Sequence, residues 1–280
     1  LEELKIEGNP LISPPAELMS LPFPAPLDYL QKLDTAVTTD ALDISNFLLT
    51  KVPSVIMTMI NLESLKMSDN RLGDIPPSIQ HLQNVTRIDL VENSLLALPR
   101  EIVHLRHLRV LLLDFNEFPA FPESACMCTG LEELRISHNG IREVPSSIRF
   151  LTHMTTLDVS TNNVDRVAEG LGELLCLKSL YLNENQLTHV PRSMGRLTRL
   201  VTLDISSNRL EGLPVEIGEL TNLEELDIYE NNFSIVANDV EGMGTMAMIR
   251  YFQACATCRN TRKIALNVMG VQRIPAEVLA

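Results

Sequence analysis

Several residues in this chain have types and spacings that could support chemistry. Cys255 and Cys258 have the C-x-x-C spacing found in zinc sites and in redox pairs. A structural zinc site needs four ligands, and Cys126 and Cys128 lie too far away in the chain to complete one. A redox C-x-x-C is expected beside a thioredoxin-like βαβ pattern, which this sequence lacks. We therefore interpret these cysteines as ordinary thiols and predict no metal site.

Histidine, aspartate and serine side chains could form a hydrolytic triad if the fold brought them together. His138, Asp158 and Ser160 fall on neighbouring units of the chain, but nucleophilic catalysis needs a base hydrogen-bonded to the nucleophile. Because these residue types are common at exposed positions, we interpret the proximity as chance. His104 and His107 lie beside leucines and are interpreted as surface histidines. No phosphate-binding G-x-x-x-x-G-K-[ST] loop occurs. We predict no catalytic residues, no cofactor and no enzyme activity.

The charge balance restricts the class of partner. The 280 residues carry a formal net charge of −13, which disfavours nucleic acid and anionic membrane surfaces because both attract Lys and Arg. The longest uncharged run, residues 52–62, is too short to span a bilayer, so no membrane insertion is expected. Five cysteines, an odd number, indicate reduced thiols and a cytoplasmic location. A protein partner with a basic surface fits these properties.

One unit recurs through most of the chain. Its clearest copy, residues 199–221, follows the pattern L-x-x-L-x-L-x-x-N-x-L-x-x-L-P. The register is given by asparagines always 23 residues apart: Asn70, Asn93, Asn116, Asn139, Asn162, Asn185, Asn208 and Asn231. A fixed period with this pattern is the signature of the leucine-rich repeat.

The pattern within each unit predicts the geometry of the fold. Leu203, Asp204 and Ile205 alternate between inward and outward positions, as residues of a strand do. The asparagine turns the chain, and its amide can bond backbone groups of its own and the adjacent unit. The following I-x-x-L segment predicts a short helical or 3₁₀ turn. The sequence therefore predicts an α/β fold: a right-handed leucine-rich-repeat solenoid, or horseshoe, with a parallel concave β-sheet and short helical or 3-10 convex segments.

The segments outside the regular units predict a second level of repetition. Tyr29 returns as Tyr251 at an offset of 222 residues, and Phe47 and Met269 both replace the asparagine, which we expect to mark block junctions. The predicted division is the last repeat of a preceding block in 1–15, a Pro-rich and helical connector in 16–38, a nine-repeat block in 39–245, a helical connector in 246–260 and the first repeat of a following block in 261–280. The chain is therefore expected to be a segment of a larger protein.

A short amphipathic helix is predicted in the first connector. Leu27, Leu30 and Leu33 recur there at helical spacing. The proline-rich stretch just before them cannot continue the repeat pattern or form a long helix.

The uniform 23-residue length and the L-x-x-L-P step, as in LEGLP at residues 210–214, resemble one class of leucine-rich repeats. This class comprises the intracellular repeats of the Ras-suppressor, Scribble and Erbin type, the plant Ras-group-related proteins and the arrays that precede ROCO GTPase domains. The resemblance covers nearly the whole chain. It implies a scaffold or recognition module that binds proteins on its concave face, with small GTPases and phosphatases as possible partner classes.

The outward positions of the concave strands supply the candidate binding residues. Aspartates at the fifth position of the later units form an acidic stripe, which is either a binding feature or a soluble filler. Three apolar residues of one unit face outward, as interaction sites often do, although the aromatic one could fold back over the asparagine turn. The candidates are Val110, Leu112, Phe115, Arg135, Asp158, Tyr181, Asp204, Asp227 and Tyr229.

These observations lead to one functional prediction and two alternatives. The prediction is a non-enzymatic protein-recognition or scaffold solenoid, part of a larger intracellular protein, that binds a partner on its concave face. One alternative is the regulatory array of a signalling enzyme whose kinase, phosphatase or ROCO GTPase domain lies outside this segment. The other is an architectural subunit of a large cytoskeletal or axonemal assembly.

Overall fold

Parallel strands at 23-residue intervals organise the structure, a computed structural model that describes residues 15, 18, 24–233, 247, 249–254 and 257. Within the described residues the strands pair in chain order to form one nine-stranded sheet. We number the coils of the solenoid one to nine by these strands. Their bounds are Ala41–Asp43, Ser64–Lys66, Arg87–Asp89, Val110–Leu112, Glu133–Arg135, Thr156–Asp158, Ser179–Tyr181, Thr202–Asp204 and Glu225–Asp227. The predicted leucine-rich-repeat solenoid is confirmed.

The register of the sheet follows from the repeat length. Each strand residue pairs with the residues 23 positions before and after it, so that Leu203 lies between Leu180 and Leu226. These three side chains point into the solenoid and are at most 2% exposed. Equivalent apolar side chains of successive coils therefore stack into one continuous core, as expected when each unit contacts only its neighbours.

The regular spacing of the asparagines reflects bonds between coils. Asn162 donates from Nδ2 to the carbonyl oxygens of Ile136, Val159 and Ser160, at 3.0, 3.2 and 3.0 Å, and its Oδ1 accepts from the Ile141 N–H at 3.0 Å. The same set recurs at the other asparagines, for example with Asn208 bonding the Leu182 carbonyl at 2.9 Å. The predicted role of the asparagine is confirmed, because every amide satisfies backbone groups of its own coil and of the preceding one.

The convex side is built mostly from 3₁₀ segments, as predicted. They span Ser54–Thr58, Pro77–His81, Arg100–His104, Ser146–Phe150, Glu169–Glu173, Arg192–Arg196 and Val215–Glu219, and coil four has a short α-helix, Glu123–Cys126, in their place. A two-stranded parallel ladder, which the sequence did not predict, joins Glu143–Val144 to Arg166–Val167. In seven coils the residue just before the 3₁₀ turn is a Pro or an Ala with an extended backbone, for example Pro76 with φ of −70° and Ala168 with φ of −71°. Because proline fixes φ near this value, the Leu-Pro step suits the position.

An α-helix, Ala25–Thr39, covers the start of coil one, and we name it α1. Its existence was predicted, but its buried face was not. Leu30 is 37% exposed, whereas Pro26, Tyr29 and Ala36 are buried. The predicted helix is confirmed, and Tyr29 rather than Leu30 occupies the position that faces the coil.

Phe47 replaces the asparagine of coil one and packs against α1. Its ring lies edge-on to Tyr29 with centroids 5.8 Å apart, and its side chain is 4% exposed. An asparagine here would seek an N–H 21 residues earlier, as the others do, but that residue is Pro26, which has none. An aromatic side chain is therefore the better neighbour for a helix.

The division into blocks stays a prediction. Residues 249–254 are helical, and Ile249 and Tyr251 are buried, in the predicted second connector. Cys255, Cys258 and Met269 lie outside the described residues.

Candidate functional site on the concave face

The fifth-position residues form one row across the concave sheet. Their register places them side by side in the order Asp43, Lys66, Asp89, Leu112, Arg135, Asp158, Tyr181, Asp204 and Asp227. Adjacent strands lie about 4.8 Å apart. The candidate residues of this row, far apart in sequence, thus share one surface, and Val110, Phe115 and Tyr229 lie beside it on the same coils.

Leu112 departs from the expectation that it presents an apolar surface to solvent. Its side chain is only 8% exposed. Asp89 and Arg135 flank it in register on the neighbouring strands. Val110 on the same strand is half-buried. The predicted apolar anchor of three side chains is therefore reduced to Phe115.

Phe115 is exposed and stacks on a histidine. Its ring is nearly parallel to that of His138, at 11°, with the centroids 3.9 Å apart, and it is 48% exposed. Both residues have left-handed backbones, with φ of 55° and 51°, a conformation that is costly for bulky side chains. We name Phe115 and His138 the aromatic pair. Because they occupy the eighth position of adjacent coils, the repeat register could have predicted their contact.

The aspartates of the row have a structural role that the sequence analysis missed. Their Oδ1 accepts the N–H two residues later: Asp43 from Ser45, Asp89 from Val91, Asp158 from Ser160, Asp204 from Ser206 and Asp227 from Tyr229, at 3.0 to 3.3 Å. The Ser160 and Ser206 hydroxyls also donate to the same Oδ1, at 2.7 and 2.6 Å. These bonds hold the turn into the left-handed eighth residue, and the recurring D-x-S pattern was their signal.

Coils six to nine nevertheless present a strongly acidic surface. Residues 156–161, 179–184, 202–207 and 225–230, which form the concave side of these coils, include no Lys or Arg. They include six carboxylates, which we name the acidic tract: Asp158, Glu184, Asp204, Glu225, Asp227 and Glu230. None of the six forms an ion pair with a described residue. The acidic tract therefore gathers negative charge that the described part of the chain leaves unneutralised.

Basic residues on the concave face lie nearer the other end. Arg135 is exposed and pairs with Glu133 of its own strand, with Nε 2.6 Å from Oε1. Lys66 and Arg87 lie on coils two and three. Tyr181 is half-buried and Tyr229 is 43% exposed. The face thus changes from mixed charge, through the aromatic pair, to the acidic tract.

A buried carboxyl lies beside the aromatic pair. Asp114 is 9% exposed, and its Oδ1 accepts from the backbone N–H and the hydroxyl of Ser137, at 2.8 and 2.7 Å. Desolvation by burial raises the pKa of Asp114 above the ordinary aspartate value, and the nearby charge of Asp158 adds to the increase. The hydrogen bonds from Ser137 and the charge of Arg135 oppose it.

The geometry of the polar side chains is not that of a catalytic triad. The Ser160 hydroxyl donates to Asp158 Oδ1, and the His138 ring stacks on Phe115.

Burial raises the pKa of Cys126 to about 11 and that of Cys128 to about 12, which keeps both as unreactive thiols.

His107, which the sequence analysis interprets as a surface histidine, is exposed. Its Nδ1 also forms a hydrogen bond with the carbonyl oxygen of Gln83 in the preceding coil, at 2.9 Å.

Within the described residues, no three His, Cys, Asp or Glu side chains lie close enough together to form a metal site. No helix in the same part of the chain is both long and apolar enough to cross a membrane.

Comparison with known proteins agrees with this architecture. Three leucine-rich-repeat family models match the sequence, at residues 146–270, 60–118 and 130–151. No curated protein shows significant similarity to the chain.

Many solved structures are similar to the chain. A leucine-rich-repeat protein of Leptospira interrogans is 28% identical, with a TM-score of 0.66 over 72% of this chain and 59% of that one. The ectodomain of the Arabidopsis thaliana receptor kinase GASSHO1/SCHENGEN3, solved with CASPARIAN STRIP INTEGRITY FACTOR 2, is 32% identical, with a TM-score of 0.58 over 65% of this chain and 23% of that one. The plant peptide hormone receptor RGFR1, solved with RGF2, is 27% identical, with a TM-score of 0.57 over 69% and 36%.

This chain spans between 23% and 59% of the length of these three solved chains. The parallel concave sheet of this chain runs through every described coil. The chain thus carries leucine-rich repeats and folds as a leucine-rich-repeat solenoid.

Proposed function

We propose that this chain is a non-enzymatic recognition module that binds a basic segment of a partner protein on its concave face. The observation that carries the proposal is the acidic tract, six carboxylates across four coils with no Lys or Arg among the concave residues between them. A surface of one sign attracts a partner of the opposite sign and selects against others. The aromatic pair at the edge of the tract supplies an anchor for an apolar or cationic side chain.

The structural role of the aspartates does not remove them from binding. The hydrogen bonds of Asp158 and Asp204 within the turn use Oδ1, which leaves Oδ2 for Lys or Arg of a partner. Phe115 supports the same conclusion, because it is exposed and has a backbone conformation that is unfavourable for a bulky residue. The ring stacks on His138 of the adjacent coil and is still 48% exposed, so its free surface is available to a partner.

Two of the similar structures favour a protein or peptide ligand. The plant receptors GASSHO1/SCHENGEN3 and RGFR1 were each solved with such a ligand bound. We propose the same ligand class for this chain. We also propose a scaffold role in an intracellular signalling protein, with a small GTPase or a phosphatase as the class of partner.

The cysteines within the described coils, Cys126, Cys128 and Cys176, are free thiols, which supports a cytoplasmic location.

The proposal is tested with random linear peptides displayed on phage. Peptides selected on this chain are expected to be rich in Lys and Arg. The variant Asp158→Asn, Asp204→Asn keeps an oxygen at Oδ1 for the turn but removes two charges. We expect this variant to bind a selected peptide about tenfold more weakly and with less dependence on salt, as measured by fluorescence anisotropy.

Two controls make the result specific. Asp43→Asn makes the same change at coil one, outside the acidic tract, and should leave peptide affinity unchanged. Phe115→Ser should weaken binding, and its unfolding temperature is measured alongside because the ring also stacks on His138. Selected peptides without basic residues, or equal affinity for the doubly neutralised variant, would exclude the acidic tract as the binding surface.

A further inference from the structure

A second surface, apart from the concave face, has the properties of a docking site. A groove of about 480 Å³ lies between the C-terminal half of α1 and the convex segment of coil one. The half-buried side chains of Leu33, Val55 and Met59 contribute to its lining. It shares no lining residue with the acidic tract or the aromatic pair. Any ligand of this groove would therefore be distinct from the concave ligand.

Two large apolar side chains of the groove are exposed. Val37 on α1 is 72% exposed, and Ile60 on coil one is 59% exposed. The residues equivalent to Ile60 in the later coils are polar with one exception: Gln83, Arg106, Thr129, Thr152, Leu175, Thr198 and Thr221. Because the repeat tolerates Thr, Gln and Arg at this position, the fold does not require isoleucine in coil one. Adjacent exposed apolar groups of this kind indicate an interaction surface.

The charged residues of the groove all have one sign. Asp34 and Asp40 line it, and no Lys or Arg does. The last turn of α1, which ends at this groove, contains no basic residue, so nothing within the helix offsets the negative end of its dipole. A positive charge placed here gains from both aspartates and from the helix end. The groove is therefore complementary to an apolar surface flanked by basic groups.

A helix fits this groove better than an extended strand. The lining consists of side chains on α1 and on the convex segment, and it contains no residue of the concave strands. An extended peptide would find no strand edge there with which to pair its backbone, whereas a helix satisfies its own backbone and needs only apolar contacts. We propose that the groove docks an amphipathic helix of a partner protein, with apolar side chains against Val37 and Ile60 and with Lys or Arg against Asp34 and Asp40.

A helical peptide library displayed on phage tests this inference. The scaffold positions are alanine and glutamine, and the positions of one helix face and its two flanks are varied. The intact chain is the target, with the variant Val37→Glu, Ile60→Glu for counter-selection. Enriched peptides are expected to have apolar residues at i, i+4 and i+7 with flanking Lys or Arg. Their affinity is expected to fall about tenfold or more in the counter-selection variant.

Further variants test separately whether binding of the helical peptides depends on the charge of the groove, on the concave face or on a loss of folding. Asp34→Asn, Asp40→Asn removes both charges and should weaken binding several-fold, with a smaller dependence on salt. The variant should still fold, because Asn is well tolerated in the left-handed conformation of Asp40. Asp158→Asn, Asp204→Asn should leave the helical peptides bound as tightly as before, so that failure of one surface is distinguishable from failure of the other. Circular dichroism should show unchanged folding, since Val37 and Ile60 are exposed.

Three results would overturn the inference. The first is that no enriched peptide depends on Val37 and Ile60. The second is enrichment of acidic or uncharged flanks. The third is a groove-dependent dimer in analytical ultracentrifugation, abolished by Val37→Glu, which would make the occupant a second copy of this chain.

Discussion

At the residue scale, the asparagine of each of coils two to nine bonds backbone groups of two adjacent coils. Asn162 is 8% exposed, and its amide forms four hydrogen bonds to the backbone of two coils. Removing the amide would leave an N–H and up to three carbonyl groups without this partner in a buried place. The penalty for such groups is larger than the average value of a hydrogen bond.

We predict that Asn162→Ala lowers the free energy of unfolding by roughly 3 kcal/mol. Asn163→Ala is the matched control, because Asn163 is exposed and its side chain accepts only from Gln186, at 3.2 Å. The control should change stability by less than about 0.5 kcal/mol. Urea denaturation of both variants measures the difference, and similar losses at the two positions would contradict the assigned role of the asparagine.

Asp114 makes the stability of the fold depend on pH, and the burial of its carboxyl group fixes the sign of that dependence. Because its pKa is raised in the folded chain, the folded state holds the proton more tightly than the unfolded state does. The charged form therefore destabilises the fold. Stability is lost as pH rises from the ordinary aspartate range through the raised pKa, and it is regained as pH falls.

We predict that Asp114→Asn unfolds at a higher temperature than the wild type at pH 7 and that this difference vanishes at low pH. Asn keeps an oxygen for the Ser137 N–H and hydroxyl, which isolates the effect of charge. Asp114→Ala removes that oxygen and should be less stable than Asp114→Asn at every pH, by about 1 kcal/mol. Thermal melts from pH 4 to pH 8 provide the test. A variant Asp114→Asn that is less stable than wild type at pH 7 would mean that the carboxylate stabilises the fold.

At the scale of elements, the close approach of the 3₁₀ segments depends on glycine. A Cβ atom on Gly195 would lie 2.6 Å from the Glu216 carbonyl oxygen, and one on Gly172 would clash in the same way with the Ser193 carbonyl oxygen. Both glycines are buried, and the atoms they would meet belong to the backbone, which cannot move aside easily. The convex segments of coils six to eight can therefore pack this closely only without side chains at these positions.

We predict that Gly195→Ala destabilises the chain by about 1–3 kcal/mol, as overpacking does. Gly212→Ala is the control, because no other atom lies within 4 Å of the place that its Cβ would occupy and its backbone does not have a positive φ. That substitution should be neutral or stabilising by up to about 1 kcal/mol. Equal effects in chemical denaturation would show that the convex segments adjust without cost.

At the scale of the whole molecule, negative charge is in excess and is distributed unevenly. The net charge is −13, and Asp204 lies directly beside Asp227 in the register of the sheet. Like charges on adjacent strands destabilise a sheet, and a large net charge destabilises the compact state. The ion pairs that the structure shows each have at least one exposed partner and contribute little.

We therefore predict that sodium chloride stabilises this protein. Raising it from about 10 mM to about 200 mM shortens the Debye length from about 30 Å to less than 10 Å, and the unfolding temperature should rise by about 2–4 °C. The rise should be smaller for Asp204→Asn, Asp227→Asn. A fall in the unfolding temperature with salt would instead show that attractive pairs such as Arg135–Glu133 outweigh the repulsion.

The sequence by itself determined the period, the register and the inward side chains. A pattern repeated every 23 residues leaves one way to place Leu180, Leu203 and Leu226 on a common interior, because each coil buries its leucines only against the next. The same period placed the fifth-position residues in one row. It also gave Asn162 and its equivalents their role.

Only the tertiary structure decided what each outward side chain does. The repeat pattern places Leu112 in the outward row between Asp89 and Arg135, but the folded chain buries it. The face that α1 buries depends on the position of coil one against Tyr29. The groove at Val37 exists because two elements meet there at a particular distance. A repeat pattern fixes which residues are equivalent, but exposure is a property of neighbours, and neighbours across elements are set by packing.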